Sequence, residues 1–150
     1  MDEQEQAVFG DAVARMGELA AEGRLTAAVR AFAGWPFNEE DIAVAEDAGY
    51  FESAARYVPN LLSFFQQLIA YQGPTGDDPA VLGAIPVPVL VLRGSATKPF
   101  MATSVRHVAD HVPNARVQVI PGAGHAAPLT HPEALAEALT DFFAPVRQPA

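Results

Sequence analysis

The chain has 150 residues, half of them hydrophobic, which is enough for one domain with its own core. Its formal net charge is −9, and Lys98 is its only lysine. Because nucleic-acid binding needs a clustered basic face, this charge excludes a nucleic-acid partner. No apolar run approaches the roughly 20 residues of a membrane-spanning helix, so no membrane partner is expected.

The first six residues are acidic rather than basic, unlike a secretory signal, and we expect a cytoplasmic location. The chain contains no cysteine, which excludes disulfides and thiolate metal ligands. No histidine pair or carboxylate cluster has the spacing of a metal site, and 122–124 is too short for a phosphate-binding glycine loop. We therefore expect neither a metal nor a cofactor.

Residues 3–72 have the pattern of helices. Apolar residues recur at helical spacing from Val8 to Leu19, and Gly23 is expected to end that helix. Thr26 is predicted to cap a short second helix. The remaining signals predict a third helix capped by Asn38, one or two helical turns over 50–57, and an apolar helix opened by Pro59 and running through Ile69.

The pattern changes after a loop at 73–79. The run 87–92 is short, apolar and rich in β-branched residues, as in a strand buried on both faces. A helix is predicted over 104–111, a second strand over 116–120 and a final helix over 134–143. A strand–helix–strand order predicts that the two strands are parallel. Two such strands need neighbours, so we expect an incomplete sheet or one that pairs with another chain.

The loops that follow the strands are the expected place for functional groups, because parallel sheets carry them at the carboxyl ends of strands. The second of these loops holds His125 between small residues, from Gly122 to Ala127. An imidazole titrates near neutral pH, which suits a general base. The alternative is a surface histidine without a role. The carboxylate pair Asp77-Asp78 precedes the first strand, at the wrong end of the sheet, and is interpreted as solvated.

The order of these elements carries a family resemblance. The stretch 85–94 gives a strand and a glycine, and a helix follows it. Residues 113–125 give Pro-Asn-Ala, a strand and Gly-x-Gly-His, and Pro-Glu at 132–133 begins the closing helix. Over residues 84–144 this resembles the C-terminal end of an α/β-hydrolase, and residues 3–72 resemble the cap that precedes that end. The resemblance implies an α/β fold class, a partial α/β-hydrolase in which a helical cap-like segment is followed by a βαβα unit with two parallel strands.

The resemblance divides the chain into a helical cap-like region, 1–76, and the C-terminal part of the hydrolase core, 77–150. It identifies His125 as the base of a Ser-His-acid triad. The Gly-x-Ser-x-Gly nucleophile motif is absent, and only Ser95 among the serines follows a predicted strand. Thr97 stands where the triad acid is usual. The family order places the nucleophile motif upstream of Met1, and some family members also take the acid from a preceding strand, upstream of Met1; whether the acid is lost, relocated or supplied elsewhere stays open. We therefore expect a truncated or split form with little activity alone.

Two functions remain open. In the first, the chain is part of an esterase- or lipase-like serine hydrolase that, when completed, acts on a small apolar ester. In the second, it is a non-catalytic binding or assembly module that pairs its sheet edge with another chain or with itself. The aromatic residues of the helical part are either core or the lining of an apolar substrate pocket; they are Trp35, Phe37, Phe51, Tyr57, Phe64, Phe65 and Tyr71.

Overall fold

The computed structural model describes residues 3–144, so residues 1–2 and 145–150, at the outer ends of the two predicted regions, lie outside it. The described chain forms nine α-helices, a 3-10 turn and two strands. In chain order these are α1 (Glu3–Ala21), α2 (Leu25–Ala33), α3 (Glu39–Asp47), α4 (Tyr50–Ala54), the 3-10 turn (Ala55–Tyr57), α5 (Val58–Ala70), α6 (Pro79–Gly83), β1 (Val89–Gly94), α7 (Pro99–His111), β2 (Ala115–Ile120), α8 (Ala127–Thr130) and α9 (Pro132–Phe143).

The helical lobe, residues 3–70, contains the largest buried cluster of the described chain, to which α1, α2 and α5 contribute. These buried side chains are Met16, Leu19, Ala28, Val58 and Phe65. Aromatic rings extend the cluster, since the Phe9 ring lies 5.4 Å from that of Phe65, edge to face. The helical spacing of the apolar residues in the sequence thus produces this core, as an amphipathic pattern predicts, and a second buried cluster in the same lobe consists of Ala33, Ala45 and Phe51.

The first helix ends as predicted, but the second begins earlier than expected. Gly23 has φ 76°, and Arg24 N donates to Leu19 O at 2.9 Å, which closes α1 in a Schellman motif. The chain turns so tightly here that α2 begins at Leu25, with Arg24 at the N-cap position. The prediction that Thr26 caps α2 is therefore wrong, because Thr26 already lies inside its first turn.

The third helix begins as the sequence predicts. Asn38 is its N-cap, and its side chain accepts a hydrogen bond from Asp41 N at 2.8 Å. The Asp41 side chain accepts from Asn38 N at 3.1 Å in return, which completes a capping box. This reciprocal pair fixes the position of Asp41 at the start of α3.

The two strands are parallel, as predicted, with Val89 opposite Ala115 and Gly94 opposite Ile120. The helix α7 connects them and begins at Pro99 rather than at Ser104, because proline is well suited to the first turn of a helix. Val89 to Arg93 are half-buried, so the prediction of a strand buried on both faces is wrong for β1. The reason is that, within residues 3–144, β2 is the only strand that pairs with β1, so the other edge of β1 is not covered by a strand.

The segment between α2 and α3 joins the helical lobe to the carboxyl ends of the strands. The Asn38 side-chain amide donates to Ala96 O at 3.1 Å, in the loop after β1. The Trp35 ring stacks on Phe100, with the centroids 5.0 Å apart and the planes at 14°. The break in the helical pattern at Trp35-Pro36 is thus where the two halves of the chain meet.

Candidate functional site

The loop that carries His125 follows β2 and lies directly against the end of β1. Ala96 N donates to Ala123 O at 2.9 Å, and Gly122 N donates to the Ser95 hydroxyl at 2.8 Å. At Gly94 a Cβ atom would lie 2.0 Å from Ala123 O, so the two backbone segments can come this close only with a glycine at position 94. The glycine that ends the first strand therefore allows the histidine loop to pack against that strand.

A buried carboxylate holds the same loop from the other side. Asp41 is 1% exposed, and its carboxylate accepts hydrogen bonds from His125 N at 2.9 Å and Ala126 N at 3.3 Å. A Cβ atom at Gly124 would lie 2.2 Å from Asp41 Oδ2, so this close packing also requires glycine. Asp41 thus links the first turn of α3 to a loop 84 residues further along the chain.

The sequence does not single out Asp41, which reads as one of three acidic residues in the first turn of a helix. Its Asn-x-x-Asp spacing after Asn38 is a capping-box signal, and that signal finds the local half of its contacts. The partners in the histidine loop depend on how α3 packs against the sheet. Only the tertiary structure shows them.

The His125 side chain remains accessible while its backbone is fixed. Its ring centroid lies 6.0 Å from that of Phe37. No side chain in the described part of the chain forms a hydrogen bond with the imidazole. Partial burial lowers the pKa of His125 below its ordinary value of 6.5, and the nearby Asp41 charge opposes this to a smaller extent. The ring is therefore mainly neutral at pH 7, the state in which an imidazole accepts a proton.

An apolar cavity of about 500 Å³ opens beside His125 in the helical lobe. It is lined by His125 with Val29, Phe32, Ala33, Pro36, Phe37, Tyr50, Ala54, Tyr57, Val58, Asn60 and Leu61. A second cavity of about 290 Å³ lies at the ends of the strands and is lined by His125 together with Gly94, Thr97 and Ser104. His125 is the residue that lines both.

The aromatic side chains of the helical part only partly take the two predicted roles, core or pocket lining. Phe37 and Tyr57 line the apolar cavity. The others lie elsewhere: Phe51 and Phe65 in buried clusters, Trp35 against Phe100, and Phe64 and Tyr71 exposed to solvent. Phe32 and Tyr50 also line the cavity, although the sequence does not distinguish them from other apolar residues of their helices.

The other polar groups near the strands form structural contacts. The Ser95 hydroxyl accepts a hydrogen bond from the histidine loop, and the Thr97 hydroxyl donates to Gly94 O at 3.0 Å. Asp77 is exposed, and Asp78 caps α6 by accepting from Ala80 N at 2.8 Å. Across residues 3–144, no group of three or more histidine, aspartate or glutamate side chains is arranged to hold a metal ion.

This arrangement, with a histidine loop after a parallel strand and an apolar cavity formed by preceding helices, is that of an α/β-hydrolase. The model of the alpha/beta hydrolase family matches residues 5–138, so the chain belongs to that family. The match includes the helical lobe as well as the strands. No solved structure matches the chain. In the part that the structure describes, no helix combines the length and apolar character needed to cross a membrane.

Proposed function

We propose that His125 is the general base of a serine-hydrolase site and that the apolar cavity beside it binds the hydrocarbon part of a small ester. The observation that carries this proposal is the position of His125 at the carboxyl end of β2, lining the cavity of about 500 Å³. Cavities of roughly 300–1,000 Å³ with a mostly apolar lining and a few polar groups are typical ligand sites. Residues 1–76 then act as a cap over residues 77–150.

The chemistry requires a neutral imidazole. A serine hydroxyl gives its proton to the imidazole as its oxygen attacks the ester carbonyl, and the imidazolium then protonates the departing alkoxide. Partial burial favours the neutral ring of His125 before attack. The Asp41 charge then favours the imidazolium formed during the reaction, since an opposite charge stabilises it.

The nucleophile of this proposed site is a serine outside the 150 residues. The sequence has no Gly-x-Ser-x-Gly motif, and the Ser95 hydroxyl is engaged with Gly122 N. Within the described residues the outer edge of β1 has no strand partner, so a further parallel strand can pair there. We propose that the polypeptide that supplies the serine and the acid aligns along this edge.

Ester turnover tests the origin of the nucleophile. The purified 150-residue protein is incubated with p-nitrophenyl butyrate, and release of p-nitrophenolate is followed. We expect little turnover, because a positioned base without its nucleophile gives no acyl-enzyme. Serine-hydrolase rates that disappear in His125→Ala would contradict the external nucleophile while supporting the role of His125.

Ligand binding tests the cavity independently of turnover. The probe is p-nitrophenyl butyl ether, which cannot be hydrolysed as an ester, and NMR follows the ring protons of the histidines. We expect a saturable shift of the His125 signals, with His107 and His111 on α7 as internal references. Ala54→Leu, which fills the cavity, is expected to weaken binding several-fold, whereas the exposed neighbour Ser53→Leu leaves it unchanged. Equal binding by both variants would rule out this cavity as the site.

A second candidate function is assembly through the sheet without catalysis. Val117 and Val119 on β2 are 43% and 42% exposed, and the outer edge of β1 has no strand partner in residues 3–144. Exposed apolar strands pair readily with another chain. Size-exclusion chromatography with light scattering distinguishes the candidates. A defined oligomer that does not bind the ether would favour assembly, and a monomer with cooperative unfolding would contradict it.

A further inference from the structure

Asp41 is the buried ionisable side chain of the described structure, and the proposed hydrolysis uses only the effect of its charge on the imidazole, not its hydrogen bonds. Its two carboxylate oxygens receive N–H groups from two distant parts of the chain. Oδ2 accepts from Asn38 N at 3.1 Å and from His125 N at 2.9 Å, while Oδ1 accepts from Ala126 N at 3.3 Å. Hydrogen bonds to a charged acceptor are about twice as strong as neutral ones.

Helix capping explains only part of this arrangement. The capping box needs the carboxylate to accept from Asn38 N alone. The contacts with His125 N and Ala126 N add nothing to α3, yet they require the backbone at Gly124 to come so close that a Cβ atom there would lie 2.2 Å from Oδ2. The loop is therefore shaped around the carboxylate.

We propose that Asp41 is the positioning residue of His125: it holds the backbone of the histidine loop against the helical lobe, so that the base and the apolar cavity keep a fixed relation. The inference deepens the proposed function and rests on it for the role of His125. The same hydrogen bonds fix the loop to the first turn of α3. Because α3 precedes the cavity-lining α4, this attachment connects the base to the wall of the substrate pocket.

The charge of Asp41 adds an electrostatic effect on the imidazole. The titratable and charged side chains that share a cavity with His125 are Tyr50 and Tyr57 on the helical side and Arg93 on the strand side. Asp41 is the anionic group whose charge acts on the ring and raises its pKa against the larger effect of burial. Loss of that charge is therefore expected to lower the pKa of His125 further.

The experiment compares Asp41→Asn with two matched controls. The asparagine keeps the shape but has one acceptor oxygen, so its amide group faces at least one of the N–H donors. Glu40→Gln removes a charge from the same helical turn at an exposed site, and Asn38→Ala removes the other half of the capping box. NMR measures amide hydrogen exchange at His125 and Ala126, the pKa of His125, and binding of p-nitrophenyl butyl ether.

In Asp41→Asn we expect roughly tenfold or faster exchange of the His125 or Ala126 amide hydrogen, since a hydrogen bond to a charged group is lost. We also expect a lower His125 pKa and weaker ether binding. Glu40→Gln is expected to leave all three quantities close to those of the unmodified chain. Asn38→Ala, which keeps the carboxylate but removes its capping partner and the contact with Ala96 O, is expected to change them less than Asp41→Asn does. Exchange and pKa values in Asp41→Asn that equal those in Asn38→Ala would overturn the proposal, because Asp41 would then act only as a cap.

The readouts separate failure of the positioning role from failure of the proposed function. If the unmodified chain does not bind the ether while Asp41→Asn still changes exchange and pKa, the cavity assignment fails and the positioning role stands. If Asp41→Asn does not fold, the unmodified chain provides the test. A scalar coupling across the hydrogen bond between His125 N and the Asp41 carboxyl carbon is expected, and its absence together with fast exchange at His125 and Ala126 would overturn the proposal.

Discussion

The two halves of the chain use similar apolar residues with different results. Both buried clusters lie in the helical lobe, where Met16 is fully buried and Val58 is 1% exposed, although Ile69 on α5 is 79% exposed. On β2, Val117 and Val119 are 43% and 42% exposed. A helix forms its backbone hydrogen bonds internally and needs only one face covered. A parallel strand needs partners at both edges and cover on both faces. Helices can therefore complete a core with few neighbours, and this two-stranded sheet does not.

His125 lies where these halves meet, and it depends on both. Its loop packs against the end of β1, where Ala96 N donates to Ala123 O, and against α3, where Asp41 accepts from His125 N. The cavity that it lines is formed by the helical lobe. The comparison thus predicts large effects in the helical core, intermediate effects at the junction and smaller ones on the exposed sheet.

The largest expected effect is the loss of a core side chain from the helical lobe. Met16→Ala is expected to lower the free energy of unfolding by about 2–5 kcal/mol, because it leaves a cavity in the buried cluster. Val91→Ala, at a half-buried position of β1, is the matched sheet variant and is expected to cost about 1 kcal/mol. Urea unfolding followed by circular dichroism measures both. Equal losses would show that the sheet is as well packed as the helices.

The junction is tested by Gly94→Ala, with Gly10→Ala on α1 as the control; the two substitutions are expected to change the free energy of unfolding in opposite directions. Gly94→Ala places a Cβ atom 2.0 Å from Ala123 O, and we expect a loss of about 1–3 kcal/mol or more. Gly10→Ala, at an exposed position of α1 with no atom within 4 Å, is expected to stabilise the chain by about 0.5–1 kcal/mol. Melting temperatures show whether each variant is less or more stable than the unmodified chain. A neutral Gly94→Ala would mean that the strand-end loops pack less closely than described.

The cap of α3 provides a smaller test of the same junction. Asn38→Ala removes the acceptor for Asp41 N and the donor to Ala96 O, and we expect a loss of about 1 kcal/mol. Asn38→Ser keeps a capping acceptor and isolates the contact with Ala96, so its loss is expected to be smaller. Urea unfolding compares the two variants. A loss as large in Asn38→Ser as in Asn38→Ala would assign the effect to the interlobe contact rather than to the cap.

The smallest expected effect is the dependence of stability on pH that comes from His125. Burial lowers its pKa in the folded chain below the unfolded value of 6.5, so the unfolded state binds more protons between the two values. The contribution of His125 to the free energy of unfolding is therefore complete above pH 6.5 and is lost as the pH falls through the pKa of the folded state. In His125→Gln, urea midpoints between pH 7 and about pH 5 should fall less than in the unmodified chain. Identical profiles would contradict the lowered pKa.

Much of the local structure follows from short sequence signals. Gly23 ends α1, Asn38 begins α3, and the β-branched runs form strands, because each signal acts through neighbours in the chain. The parallel pairing of the strands follows instead from their order with a helix between them. The start predicted for α2, at a Thr26 cap, is wrong for a local reason as well. The Schellman turn at Gly23 and Arg24 uses the residues that a cap at Thr26 would need. The short helix α8 overlaps the end of the predicted loop, and the sequence has no strong signal for its start, since no side chain caps it.

The candidate site was predictable only where its signal is sequential. The order of strand, glycine loop and histidine marks His125, because a residue that follows a parallel strand lies at the edge of the sheet. Asp41, the cavity lining and the pairing of Ser95 with Gly122 N join residues far apart in sequence. Such contacts depend on how the lobes pack together, which no local pattern encodes.

The sequence by itself determined the family, the parallel strands and the placement of the histidine loop, since these follow from periodicity, turn residues and motif order. The tertiary structure decided how that loop is held and what surrounds it. Close approaches at Gly94 and Gly124 bring the loop between β1 and α3, and burial of Asp41 there turns a helix-capping residue into a contact of His125. The physical reason is that hydrogen bonds between distant segments form only once packing has excluded water from around them.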